Sequence, residues 1–197
     1  DERKVALQCA HKAAESEEPR HKLSFPKKNE NLLSALGGAV QVGGATAWVW
    51  SRPDAADTLD VLFVDEAAQM SLANVLAVSP CAKTVVLIGD PQQLDQPMQG
   101  SHPEGTDVSA LNHLLGGLQT IPEGKGLFLA ETWRLHPDIC AFTSELFYEG
   151  KLRSREELKK MCVKGGAPLT GTGLFYLPVV HAGNQNCSPE EADAVNL

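Results

Sequence analysis

The sequence predicts an α/β fold built on a parallel sheet flanked by helices, and three observations predict it. LDVLFVDEAAQ (59–69) and TVVLIG (84–89) are near-continuous apolar runs, the pattern of strands in a parallel sheet covered on both faces. MSLANVLAVSP lies between them as a helix stopped before Pro80, so strand, helix and strand follow within about thirty residues, a βαβ unit. Both apolar runs end in polar tips, Asp65-Glu66 after the first and GDPQQ (89–93) after the second.

The other elements are read in chain order. Val5, Ala6, Cys9, Ala10 and Ala13 fall at helical spacing, which predicts a helix over 1–17 ended before Pro19. KKNENLLSALG predicts a short helix closed by Gly37 and Gly38, and AVQVGG a short strand with a glycine exit. RPDAAD is turn-rich, and residues 95–107 form a long Pro, Gly and polar loop. DVSALNHLLGG predicts a helix with Asp107 as N-cap and Gly116 as C-cap. GLFLAET and GTGLFYLPVV are expected strands. HPDICAFTSELFYEG is an amphipathic helix with Ile139, Phe142, Leu146 and Phe147 on its apolar face. SREELKKMC begins with a capping box from Ser154 to Glu157, and SPEEADAVNL with one from Ser188 to Glu191, with Pro189 at N1.

The 197 residues suit one large domain or one domain and part of another. With 43% hydrophobic and 21% charged residues, there is ample material for a core. The net charge of −8 excludes a wholly basic nucleic-acid binder but leaves room for a local basic groove. No run reaches the roughly 18 apolar residues of a membrane span, and DERKVALQCAHK is too charged for a signal peptide. The five cysteines show no CxxC spacing and read as free thiols, so the expected location is the cytoplasm, with no membrane partner.

Open α/β sheets bind ligands beyond the carboxyl ends of their strands. If the two core strands are parallel neighbours, Asp65, Glu66 and the GDPQQ run share one rim. Paired acids there suit Mg²⁺ chemistry: one carboxylate holds the hard cation, and the other accepts a proton from an attacking water. An amide with both donor and acceptor suits sensing of a terminal phosphate. Plainer alternatives stand beside these. Asp65-Glu66 also reads as a solvated loop start, and Asp90 as a turn cap, since Gly-Asp-Pro is turn chemistry. Trp48 and Trp50 alternate with Ala47 and Val49, so base stacking and inward-facing strand positions are both open for them.

DEAAQ (65–69), GDPQQL (89–94) and ETWRLHP (131–137), in this order, resemble motifs II, III and IV of superfamily 1 DNA and RNA helicases. The surrounding text resembles a bacterial branch in which the helicase follows a RecB-like nuclease domain. The resemblance implies a RecA-like P-loop NTPase sheet, incomplete here, and the start of a second RecA-like domain. Residues 1–130 would be the later part of the first, and 131–197 the opening of the second. It implies ATP and Mg²⁺ as the nucleotide and metal, and single-stranded DNA or RNA as partner. By position, Asp65 organises Mg²⁺ through water, Glu66 is the general base, Gln93 senses the γ-phosphate and Arg134 is an arginine finger. Gln69 and Asp90 complete the nucleotide-contacting set, Asp90 through the turn or the Mg²⁺ surroundings. Trp133 replaces an aromatic, often tyrosine, beside that arginine and is expected near the domain cleft. Thr46, Trp48, Ser101 and His102 are the expected nucleic-acid contacts, and His136 is architectural.

Neither GxxxxGKS nor GxxxxGKT occurs, so the Walker A loop that cradles phosphate is missing from this sequence. In the family that loop precedes motif II, and the chain lacks an initiator methionine, so it is expected to be an inactive middle piece of a motor. A sheet lacking its first strand would also expose an edge for artefactual self-association. Three functions compete: a DNA helicase or translocase, fused to a nuclease in the intact protein; an ATPase that remodels RNA or RNA–protein complexes; and a non-enzymatic interaction module with vestigial motor motifs.

Overall fold

The structure is a computed structural model that describes residues 7–13, 22–93, 103, 105–166 and 169–196. It divides into two compact units, Asp1–Leu118 and Gln119–Leu197.

In the first unit a short strand β1 (Cys9–His11) lies between β2 (Leu23–Ser24) and, beyond helix α1 (Asn29–Leu36), β3 (Val42–Gly44). All pairs are parallel, with Ala10 opposite Ser24 on one side and Gly43 on the other. This corrects the helix expected over 1–17, of which residues 1–6 and 14–17 lie outside the described residues. Small apolar residues at helical spacing fit a buried strand equally well, and pairing with chain over 30 residues away decides the outcome. Helix α1 buries Leu32 and stops at Gly37 as expected.

Residues 47–50 are a second correction. AWVW is not strand-like but a single helical turn, α2 (Ala47–Trp50). The turn separates the two indoles: Trp50 is 7% exposed and donates Nε1–H to the Ala45 carbonyl at 3.3 Å, whereas Trp48 is 84% exposed.

The expected βαβ unit is present as β4 (Leu59–Val64), α3 (Leu72–Val78) and β5 (Ala82–Leu87), with β4 and β5 parallel neighbours and Val64 opposite Leu87. Leu62 and Val64 enter the core with Val75 and Val78 of α3. Cover on both faces of β4 is not observed: its alternate residues Val61 and Phe63 point the other way, and Phe63 is 65% exposed. Helix α4 (Ala110–Leu115) ends at Gly116 in the left-handed region (φ 60°), as expected, but its N-cap is Ser109 rather than Asp107. The Ser109 hydroxyl accepts from the Asn112 N–H, and the Ser71 hydroxyl caps α3 in the same way through Asn74. Ser71 and Ser109 also form an antiparallel bridge that ties the two helix starts together.

The second unit repeats the strand–helix–strand order on a smaller scale. β6 (Glu131–Thr132) and β7 (Arg153–Ser154) are parallel, joined through α5 (Pro137–Phe147). Of the strand expected over GLFLAET only the last two residues form, because β7 offers only two partners. Residues 119–130 pack with this unit: Phe128 meets the Tyr148 ring at 6.3 Å, and the Arg153 N–H donates to the Ala130 carbonyl at 2.7 Å. The expected division at 130/131 thus meets a contact division at 118/119.

Helix α5 buries Cys140 and Ser144, while the face expected to be inward leaves Phe142, Leu146 and Phe147 exposed. The helix therefore turns its small residues, not its large ones, toward β7. The 154–157 capping box is replaced by a 3₁₀ turn (Glu156–Lys160): the Ser154 hydroxyl bonds to the Leu135 and Arg155 carbonyls, and Glu157 pairs with Arg155. GTGLFYLPVV is not a long strand either. Only Thr170–Gly171 pairs, as β9 antiparallel to β8 (Val163–Lys164), and Leu174, Tyr176 and Val180 are exposed. Helix α6 (Pro189–Val195) starts as expected, with the Ser188 hydroxyl accepting from the Glu191 N–H at 3.3 Å.

Candidate nucleotide-hydrolysis rim

The two polar tips are physically joined. Beyond the last paired residues of β4 and β5 the ladder continues, with the Ile88 N–H donating to Val64 and the Ala67 N–H to Ile88, both at 2.8 Å. Gly89 then passes so close that a Cβ there would lie 2.9 Å from the Ala67 nitrogen and 3.0 Å from that of Ala68. Only glycine allows this approach. Ala67 and Ala68 are buried beneath the turn, so the small residues of DEAAQ anchor it while Asp65 and Glu66 stay exposed at the rim.

Each tip also has internal order. Glu66 has φ 52°, a left-handed conformation uncommon for a residue with a side chain. Asp65 Oδ1 accepts the Glu66 N–H at 3.0 Å, and the Glu66 carbonyl accepts the Gln69 N–H at 2.9 Å. In the second tip Asp90 organises the turn: Oδ1 accepts the Gln92 N–H at 3.0 Å, and Oδ2 accepts the Gln93 side-chain amide at 3.4 Å. The turn-forming reading of Asp90 is the one this geometry displays. Gln93 is exposed and Gln92 half-buried.

The donor set at this rim is all hard oxygen. Among the described residues no group of three or more His, Cys, Asp or Glu side chains forms a metal cage. Hard oxygen donors fit Mg²⁺, which is held by one or two carboxylates together with substrate phosphates.

The other predicted residues lie elsewhere in the chain. Thr46 is the N-cap residue of α2 and is exposed, with Trp48 exposed two residues on. Ser101 and His102, with most of the 95–107 loop, lie outside the described residues. Arg134 belongs to the second unit. It is exposed, its backbone N–H donates to Thr132 Oγ1 at 3.2 Å, and it borders a cavity of about 340 Å³ shared with Leu135, Ile139 and Met161. His136 caps α5, its Nδ1 accepting the Asp138 N–H at 3.2 Å, which is an architectural role. Two features escaped the sequence. Gly89 carries a signal in hindsight, a glycine between a core strand and Asp-Pro. The stacking of the Arg155 guanidinium 3.6 Å from the Trp133 ring centre carries none.

Residues 39–116 match the viral superfamily 1 RNA helicase core domain. That stretch includes both joined tips and excludes TWRLHP. Among characterised relatives, the Arabidopsis thaliana protein "Probable helicase MAGATAMA 3" is 27% identical over 133 residues, 66% of this chain and 16% of its own length. The mouse "5'-3' DNA helicase ZGRF1" is 33% identical over 120 residues, 57% of this chain and 6% of its own length. The chicken "DNA replication ATP-dependent helicase/nuclease DNA2" is 34% identical over 98 residues, 50% of this chain and 10% of its own length. The chain therefore spans from 6% to 16% of the length of these relatives.

Proposed function

We propose that this chain is part of an ATP-driven motor that moves on single-stranded DNA, a reading supported by the match of residues 39–116 to a superfamily 1 helicase core domain. The observation that carries the reading is the rim itself. Two parallel strands deliver DEAAQ and GDPQQ to one edge, and the Ala67–Ile88 hydrogen bond and the glycine-only contact at Gly89 lock them together.

In this reading the Glu66 carboxylate accepts a proton from the water that attacks the γ-phosphate. Asp65 would hold Mg²⁺, through water, and the ion when bound would supply positive charge to offset that of the phosphate oxygens. Gln69 contacts nucleotide from the end of the first tip. Gln93 senses the γ-phosphate, and its hydrogen bond to Asp90 is the one that phosphate would compete for. Arg134 supplies a guanidinium to the transferred phosphoryl group as an arginine finger. It stands in the opening of a second RecA-like domain, for which the parallel β6–α5–β7 order is the support. No GxxxxGKS or GxxxxGKT occurs in the 197 residues, so the phosphate cradle is assigned to further residues of a longer protein. Trp48, with its indole in solvent, stacks a base, and Thr46, Ser101 and His102 complete the strand track. The names of two relatives, a DNA helicase and a DNA helicase/nuclease, favour DNA, and the latter also supports a nuclease domain fused to the intact protein.

The matched family, described as an RNA helicase core, favours a second reading in which RNA is the track. Adding each polymer to the intact protein during ATP hydrolysis separates them. Stronger stimulation by single-stranded DNA is expected. Stronger stimulation by RNA selects the second reading, and indifference to both polymers sinks the motor.

A further inference from the structure

We propose that Ser154 and Arg155 are positioning residues that hold the Thr132–Leu135 turn in place and so preset Arg134 for its role as the finger. This rests on the motor reading above, because it gives a purpose to Arg134. The turn is gripped at both ends and in the middle. At its start the Arg155 N–H donates to the Thr132 carbonyl at 3.4 Å, extending the β6–β7 ladder by one bond. At its end the Ser154 hydroxyl donates to the Leu135 carbonyl at 2.7 Å. In the middle the Arg155 guanidinium sits over the Trp133 ring, 3.6 Å from its centre. Within the turn, the Arg134 N–H is tied to Thr132 Oγ1.

Arg155 is itself fixed. Its Nε and one terminal nitrogen form a two-point fork on Glu157 at 3.1 and 3.0 Å, and the other terminal nitrogen reaches Glu131 Oε1 at 3.0 Å. This fork holds the Glu157 carboxyl down at about 2. The pair therefore stays formed down to about pH 2; the stability it adds is fully present above the ordinary value of 4.5 and is lost as pH falls through about 2, so it stands throughout the neutral range. With all three nitrogens committed to carboxylates, Arg155 is not a second finger. Arg134 differs: its side chain is exposed, and no described residue pairs with its guanidinium. The two arginines divide the work, one spent on structure and one left for phosphate. A long side chain on an unbraced turn samples many positions, and holding the turn removes part of that search before the reaction.

The test is ATP turnover by the intact protein with Arg155→Ala, Arg155→Lys and Ser154→Ala, each also in an Arg134→Ala background. Arg155→Ala is expected to lower kcat on the order of tenfold to a hundredfold, with a smaller change in KM for ATP. Arg155→Lys should not restore it, because an ammonium cannot make the two-point fork on Glu157. Ser154→Ala should give a milder loss. In the Arg134→Ala protein these changes should remove nothing further from the residual rate, and in all three variants exchange of the Arg134 amide hydrogen should speed up. Wild-type kcat in Arg155→Ala overturns the clamp, as does an equal loss in the Arg134→Ala background, which is also what a folding defect would produce. Wild-type kcat in Arg134→Ala alone is a separate outcome: it removes the finger from the motor reading and the clamp with it.

Discussion

Glu66 pays for its place in backbone strain: a left-handed residue bearing a Cβ costs about 1 to 2 kcal/mol. The strain persists because its neighbours over-determine the turn. Ala67 is fully buried and its N–H is bound by Ile88, so the chain has to reverse at position 66 to keep both contacts. Glu66→Gly should therefore stabilise the protein by about 1 kcal/mol in urea titration while abolishing hydrolysis. Gly89→Ala should do the reverse to stability, costing about 1 to 3 kcal/mol, since the added methyl meets backbone that cannot step aside. A stability unchanged by Gly89→Ala would mean the two tips are not locked. That the two tips share one rim was legible in the sequence, because acids and amides after two adjacent apolar runs stand out. Their conformation was not: nothing in the letters DEAAQ requires a left-handed glutamate, which follows only from the partner strand one ladder step away.

The helices behind the rim are short, so their ends matter. α3 and α4 each begin with a serine whose hydroxyl accepts the N–H three residues onward, at Asn74 and Asn112, and the two serines are bridged through the backbone. Ser71→Ala and Ser109→Ala should each cost about 1 kcal/mol by denaturant titration. The double variant should depart from the sum, because the caps share one bridge. Local periodicity made α1, α3, α5 and α6 readable, since each carries its own start or stop signal. It failed where pairing at a distance decided the matter. β1 is three residues whose spacing fits a helix, and its partners lie at 23–24 and 42–44. AWVW alternates like a strand but closes as one turn because Trp50 reaches back to Ala45. On α5 the amphipathic pattern pointed to the large residues, and packing chose Cys140 and Ser144.

At the scale of the whole molecule the chain offers two compact units, each with a parallel strand–helix–strand core. The first carries the joined tips and the second the exposed Arg134. The order of motifs placed DEAAQ and GDPQQ before TWRLHP in the sequence, and the contact division falls between them at 118/119. With a net charge of −8, the strand binding proposed for this chain would rest on local contacts such as Trp48 rather than on a broad basic surface. The central claim is that the joined tips are hydrolytic, with Glu66 as base. Its most direct measurement is ATP hydrolysis by the intact protein carrying Glu66→Gln, with single-stranded DNA present and ATP binding measured alongside. The account predicts that kcat falls by about a hundredfold or more while ATP still binds. Hydrolysis at the wild-type rate would contradict it.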